Sequence, residues 1–68
     1  MAQMTLKAAR VNSGYTQKEA ARYLNVSNKT LCNWEHGRSF PKASQIEAIC
    51  YLYKVSYDEL IFLPKSSL

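Results

Sequence analysis

The sequence predicts an all-α fold, a compact bundle of five short helices. Three observations carry this. Sustained period-2 alternation is absent from the 68 residues, so half-buried strands are not expected. Helix-start signals recur: Thr16-Gln17-Lys18-Glu19 and Ser56-Tyr57-Asp58-Glu59 both have the form of a capping box. Helix stops recur with them, at Gly14, Asn25, Gly37 and Pro64.

The first helix takes in Leu6, Ala9 and Arg10 and runs to about Ser13, where Gly14 suits a C-terminal stop. In the second, the Thr16 hydroxyl accepts from the Glu19 amide while the Glu19 carboxylate reaches back. Ala20, Ala21 and Leu24 give this helix a narrow apolar face, small enough for another helix to approach closely. Asn25 tolerates a left-handed backbone, and Val26 points inward from the turn.

Ser27 is the N-cap of a third helix to about His36, ended by Gly37. At ~100° per residue, Leu31 and Trp34 share its inner side with Ser27. Lys29, Cys32, Asn33 and His36 fall opposite, with Asn28 at the flank of the first turn. Pro41 breaks the chain before a fourth helix, whose Ile46, Ile49, Cys50 and Tyr53 recur at i, i+3, i+4 and i+7 as a core stripe. Its start is open between Lys42 and a Ser44-x-x-Glu47 box. The Ser56 box opens a last short helix with Leu60 and Ile61 inward, ended by Pro64, and residues 65–68 read as a frayed tail. Trp34 is expected as a core anchor, and most of the five tyrosines at the core rim.

Composition agrees with a single domain over residues 1–64. Hydrophobic residues are 47% and charged residues 21%, ordinary for a globular chain. No apolar run approaches the ~18 residues of a membrane span, and the N-terminus lacks a secretory pattern. A soluble, intracellular protein is expected. The net charge of +4 is uneven: residues 1–42 hold seven basic and two acidic side chains, residues 43–68 two basic and three acidic. One basic end suits a polyanion, since phosphate neutralisation is the sequence-independent part of nucleic-acid affinity.

Cys32 and Cys50 form no CxxC and are too few for a disulfide framework. His36 lies one turn after Cys32, but a zinc site needs about four ligands. Neither metal nor cofactor is expected, no small-molecule ligand is evident, and Cys32 reads as an inert surface thiol. An enzyme is rejected as well: the chain has no paired carboxylates, no nucleophile–base set and no phosphate-cradling glycine loop. A Cys32–His36 pair would lie on an open helix face with no pocket to exclude water.

Helix, short turn, helix over residues 16–36 is the layout of a helix-turn-helix, which presents its second helix to the DNA major groove. Ala21, Asn25, Val26, Leu31 and Trp34 meet its packing demands at the right spacing. The sequence resembles the phage repressor/Cro-like helix-turn-helix regulators from Leu6 to about Phe62. The resemblance is carried by Thr16-Gln17-Lys18-Glu19-Ala20-Ala21, Val26-Ser27-Asn28-Lys29-Thr30-Leu31, Trp34-Glu35-His36-Gly37-Arg38 before Pro41, and Val55-Ser56-Tyr57-Asp58-Glu59-Leu60. Asn25 stands where the family most often has glycine, and Ala9 is smaller than the usual aliphatic residue.

The resemblance implies a lambda repressor-like DNA-binding domain that acts as a dimer on a palindromic operator. It implies Asn28, Lys29 and Asn33 as base readers, since Asn pairs with adenine N6/N7 and Lys donates to guanine O6/N7. Gln17 beside the amide end of the second helix matches a phosphate clamp. Thr16, Ser27, Thr30, His36, Arg38 and Lys42 are the remaining candidate backbone contacts. Arg10 and Glu35 match a structural pair tying the first helix to the third. The candidate dimer surface is Phe40 with Phe62 and Leu63; Phe40 packs there or folds back onto its own core. The partner is then double-stranded DNA, with no membrane partner, in the cytoplasm on the nucleoid of a bacterial or phage system. A rival is a protein-interaction module of the same fold, such as an antitoxin-like regulator.

Overall fold

The computed structural model describes residues 3–62. In order these are β1 (Met4–Thr5), α1 (Leu6–Asn12), α2 (Gln17–Leu24), α3 (Asn28–Glu35), α4 (Ala43–Tyr53), a 3₁₀ turn (Tyr57–Glu59) and β2 (Leu60–Ile61). Leu63, Pro64 and the expected tail over residues 65–68 lie outside the described residues.

Local chemistry sets the helix starts. The Thr5 hydroxyl accepts from Ala8 N at 3.1 Å, a cap additional to those expected. At α2 both halves of the Thr16–Glu19 box form, at 3.1 and 2.9 Å. The Ser27 hydroxyl accepts from Thr30 N at 3.0 Å. At α4 the backbone decides between the two expected starts: Lys42 N donates to Gln45 Oε1 at 2.7 Å, and Ser44 lies inside the helix.

Helix ends share one device. Gly14, Asn25, Gly37 and Lys54 all have positive φ, at 88°, 60°, 76° and 57°. The next residue's N–H then reaches back five residues: Tyr15 to Arg10, Val26 to Ala21, Arg38 to Asn33 and Val55 to Cys50. This is the Schellman closure, which satisfies a carbonyl left open by the last turn. Asn25 does what glycine does elsewhere. Lys54 does so without a sequence signal.

The core joins Leu6 and Ala9 of α1, Ala20 and Ala21 of α2, Leu31 and Trp34 of α3, Ile49 and Tyr53 of α4, and Leu60. Leu31 and Ile49 are fully buried. The two alanines let α2 and α3 cross closely, and Ala9 is sealed in the core despite its size. Val26 packs half-buried beneath the turn, as expected.

Several expectations are corrected. Among the described residues there are four α-helices, and the expected fifth is the three-residue 3₁₀ turn, its box formed by Ser56 N donating to Glu59 Oε1 at 2.8 Å. After it the backbone extends, with Leu60 at φ −96° and ψ 141°. β2 pairs in parallel with β1, Met4 opposite Leu60 and Thr5 opposite Ile61, so the fold is not purely helical. A short helix is marginal on its own account, and pairing with the distant β1 supplies the backbone partners instead. Because successive strand side chains face opposite ways, Leu60 is buried while Ile61 is 39% exposed rather than inward.

The α4 stripe is narrower than its spacing suggests, with Ile49 and Tyr53 buried but Ile46 and Cys50 only half-buried. Of the tyrosines, Tyr53 is core and Tyr15 half-buried, whereas Tyr23, Tyr51 and Tyr57 stand exposed. Tyr23 and Tyr51 stand two positions from the buried Ala21 and Tyr53, about 200° round their helices at ~100° per residue, so both face solvent. No helix among the described residues is long and apolar enough to cross a membrane.

Candidate nucleic-acid interface

The orientation of α3 follows from its two anchors. Leu31 and Trp34, three residues apart, are buried where α3 packs against α1 and α2. That rotation turns Asn28 and Lys29 out to solvent and leaves Cys32 and Asn33 half-buried on the same outer side. His36, just past the helix, is exposed too. The expected reading residues therefore share one outward face, at the first turn and one turn further on.

Beneath that face runs a chain of polar contacts. Arg10 Nε donates to Glu35 Oε2 at 2.7 Å, and both side chains are buried. Arg10 Nη1 donates to Tyr15 O at 2.9 Å. Gln17 Nε2 donates to Glu35 Oε1 at 3.1 Å, and Asn28 Nδ2 donates to Gln17 Oε1 at 3.2 Å. Gln17, half-buried at the start of α2, thus joins the interior to the first residue of α3.

The other candidate phosphate contacts border this region. Thr16 and Ser27 are exposed, and both hydroxyls accept from helix amides as caps. Ser27 also donates to Thr30 Oγ1 at 2.8 Å, which leaves the Thr30 O–H free to point at a second acceptor. His36 Nδ1 lies 2.9 Å from Cys32 O and 3.4 Å from Cys32 Sγ, so Nε2 is its outward atom. Arg38 and Lys42 are exposed in the segment between α3 and α4.

A family profile described as "Helix-turn-helix domain" matches residues 5–65. The chain belongs to that family. Its helix-turn-helix is α2, the turn over residues 25–27, and α3. Over 56 residues, 82% of this chain, it is 45% identical to the HTH-type transcriptional regulator ImmR of Bacillus subtilis. Over the same length it is 30% identical to the HTH-type transcriptional activator BcrR of Enterococcus faecalis. It is also 32% identical to Antitoxin PezA of Streptococcus pneumoniae serotype 4. These matches cover 44%, 28% and 35% of the relatives, so the chain spans less than half the length of each.

Other features of this helix-turn-helix domain lie outside α3. Phe40 is 52% exposed in its loop and does not fold back onto the core. Phe62 is half-buried, its ring 6.1 Å from that of Tyr57, and Leu63 lies outside the described residues. Burial pushes the half-buried Cys50 thiol up. Burial, helped by the Glu35 carboxylate, pushes the Tyr53 hydroxyl up to about 12, with Arg10 opposing. Among the described residues no group of three or more His, Cys, Asp or Glu is arranged to hold a metal ion.

Sequence reasoning anticipated the outward face but not the link from Gln17 to Glu35 and Asn28. Nothing in the spacing signals it, because its members come from two helices and meet only when α2 and α3 cross.

Proposed function

We propose that this domain binds double-stranded DNA sequence-specifically and regulates transcription, with α3 in the major groove. One observation carries the reading: Asn28, Lys29 and Asn33 share the face of α3 turned away from its buried anchors Leu31 and Trp34. Asn28, Lys29 and Asn33 read base edges. Thr16, Gln17, Ser27, Thr30, His36, Arg38 and Lys42 hold flanking phosphates and set the register. The names of the relatives ImmR and BcrR, a transcriptional regulator and a transcriptional activator, support the regulatory part.

The domain acts as a homodimer on a palindromic operator, through a surface around Phe40, Phe62 and Leu63. On such an operator the two reading helices would sit about 34 Å, one DNA turn, apart. The three relatives come from bacteria, and a cytoplasmic place on the nucleoid of a bacterial or phage system belongs to the same proposal.

Selection from a randomised duplex pool at near-physiological salt tests it. A retained palindrome with half-site centres about ten base pairs apart is expected. An unpatterned pool, with binding that salt abolishes, would overturn sequence-specific reading. The relative named as an antitoxin favours a second reading, in which the fold docks a protein. Failure to bind any duplex even at low salt would select that one.

A further inference from the structure

We propose that His36 holds a DNA phosphate only when its imidazole is protonated, so that the domain takes up a proton on binding DNA and binds less tightly as pH rises. This rests on the DNA-binding role proposed above.

A backbone carbonyl accepts and does not donate. His36 Nδ1 lies 2.9 Å from Cys32 O, so Nδ1 carries a hydrogen and donates it there. A ring turned over would set a C–H against that oxygen instead. Cys32 Sγ, 3.4 Å from Nδ1, sits beside the same N–H. With its one hydrogen on Nδ1, the neutral ring has its lone pair on Nε2, the outward atom. A DNA phosphate also presents acceptor oxygens. Neutral His36 therefore meets it lone pair to lone pair.

Protonation changes only the outward side. The Nδ1 contact stays, Nε2 takes a hydrogen from solvent, and the ring gains a positive charge. The same atom then donates a charge-assisted hydrogen bond to the phosphate. Arg38 and Lys42, the other candidate contacts with a charge, belong to residue types that stay cationic through the histidine range.

The surroundings leave the counterion to the DNA. Over residues 28–42 the charged or titratable side chains besides His36 are Lys29, Cys32, Glu35, Arg38 and Lys42. Glu35, the one carboxylate among them, turns inward to Arg10 of α1 and Gln17 of α2, at 2.7 and 3.1 Å. The other charged side chains of those two helices, Lys7 on α1 and Lys18, Glu19 and Arg22 on α2, are exposed, and Glu19 closes its own cap.

The chain has one histidine, so its ring signals need no assignment. In the free protein, with the ring neutral, nitrogen shifts should show the hydrogen on Nδ1. Added duplex should move the ring's titration to higher pH. Duplex affinity is then measured at about pH 6 and about pH 7.5, a window in which histidine is the side chain that changes charge. Wild type should bind about fivefold less tightly per chain at the higher pH. His36→Gln should lose that dependence and, at about pH 6, reduce the slope of log affinity against log salt by about 0.9 per chain. His36→Arg should lose the dependence while keeping the slope.

A neutral ring with its hydrogen on Nε2 would overturn the inference and leave DNA binding standing. Sequence-selective wild-type binding that ignores pH would do the same, as would a pH dependence that survives in His36→Gln. Wild type that binds no duplex at low salt and about pH 6, its neutral ring still carrying the hydrogen on Nδ1, would overturn DNA binding itself and this inference with it.

Discussion

Arg10 and Glu35 meet as a buried ion pair across 25 residues of sequence, Nε to Oε2 at 2.7 Å and Nη2 to Oε1 at 3.4 Å. The contact ties the middle of α1 to the last residue of α3. It also neutralises two charges that the interior would otherwise hold at a cost of several kcal/mol each.

Removing one partner strands the other. Arg10→Met leaves Glu35 buried without its cation and should cost about 3–5 kcal/mol. Arg10→Met combined with Glu35→Leu should recover most of that loss, because no buried charge remains. Urea denaturation of the two variants checks the order. A double variant as unstable as the single one would mean the loss came from packing instead.

Backbone conformation makes two substitutions act in opposite directions. Gly14 has φ +88°, and a Cβ built there meets nothing within 4 Å. Gly14→Ala should therefore destabilise by about 1–2 kcal/mol through the left-handed backbone alone. Lys54, at φ 57°, already bears that cost. Lys54→Gly should stabilise by about 1 kcal/mol. Thermal melts of both proteins test the pair.

Tyr53 sets an alkaline limit. Its hydroxyl is buried and, among the described residues, is the buried side-chain polar atom without a hydrogen-bond partner. With the folded value raised from 10.0 to about 12, neutral tyrosine is the folded form. Between those values the unfolded chain releases its proton first. Stability linked to this group is whole below pH 10 and is lost as pH rises from there through 12. Tyr53→Phe should flatten that alkaline fall and, by removing an unsatisfied hydroxyl, stabilise at neutral pH by about 1 kcal/mol. Unfolding curves across pH 7–12 read both effects.

Base readers and phosphate contacts separate by salt. Arg38→Ala and Lys42→Ala should each weaken all duplexes alike and reduce the slope of log affinity against log salt by about 0.9. Asn33→Ala should cost about 1–3 kcal/mol on the preferred duplex and leave the slope unchanged. Fluorescence anisotropy titrations at several salt concentrations distinguish them. A slope change from Asn33→Ala would contradict its assignment as a reader.

Much of the fold was legible because its signals act over a few residues. Thr16 and Glu19 cap one another three positions apart, Ser27 caps Thr30, and Asn25 closes a turn on Ala21. The outward face of α3 followed equally from the spacing of Leu31 and Trp34. Residues 57–61 were misread for a related reason. A capping box announces the start of a helical turn, but not how far the turn continues.

The sequence by itself determined the starts of α2 and α3, the turn between them and the rotation that brings Asn28, Lys29 and Asn33 to one side. Caps, left-handed closures and a helical period are contacts within one or two turns of chain, so the residues that make them are neighbours in the text. Only the tertiary structure decided that Leu60 turns in and Ile61 out, because their partners Met4 and Thr5 lie at the other end of the domain. Only it joined Gln17 to Glu35 and Asn28, through hydrogen bonds that span 18 and 11 residues and depend on how α2 and α3 cross.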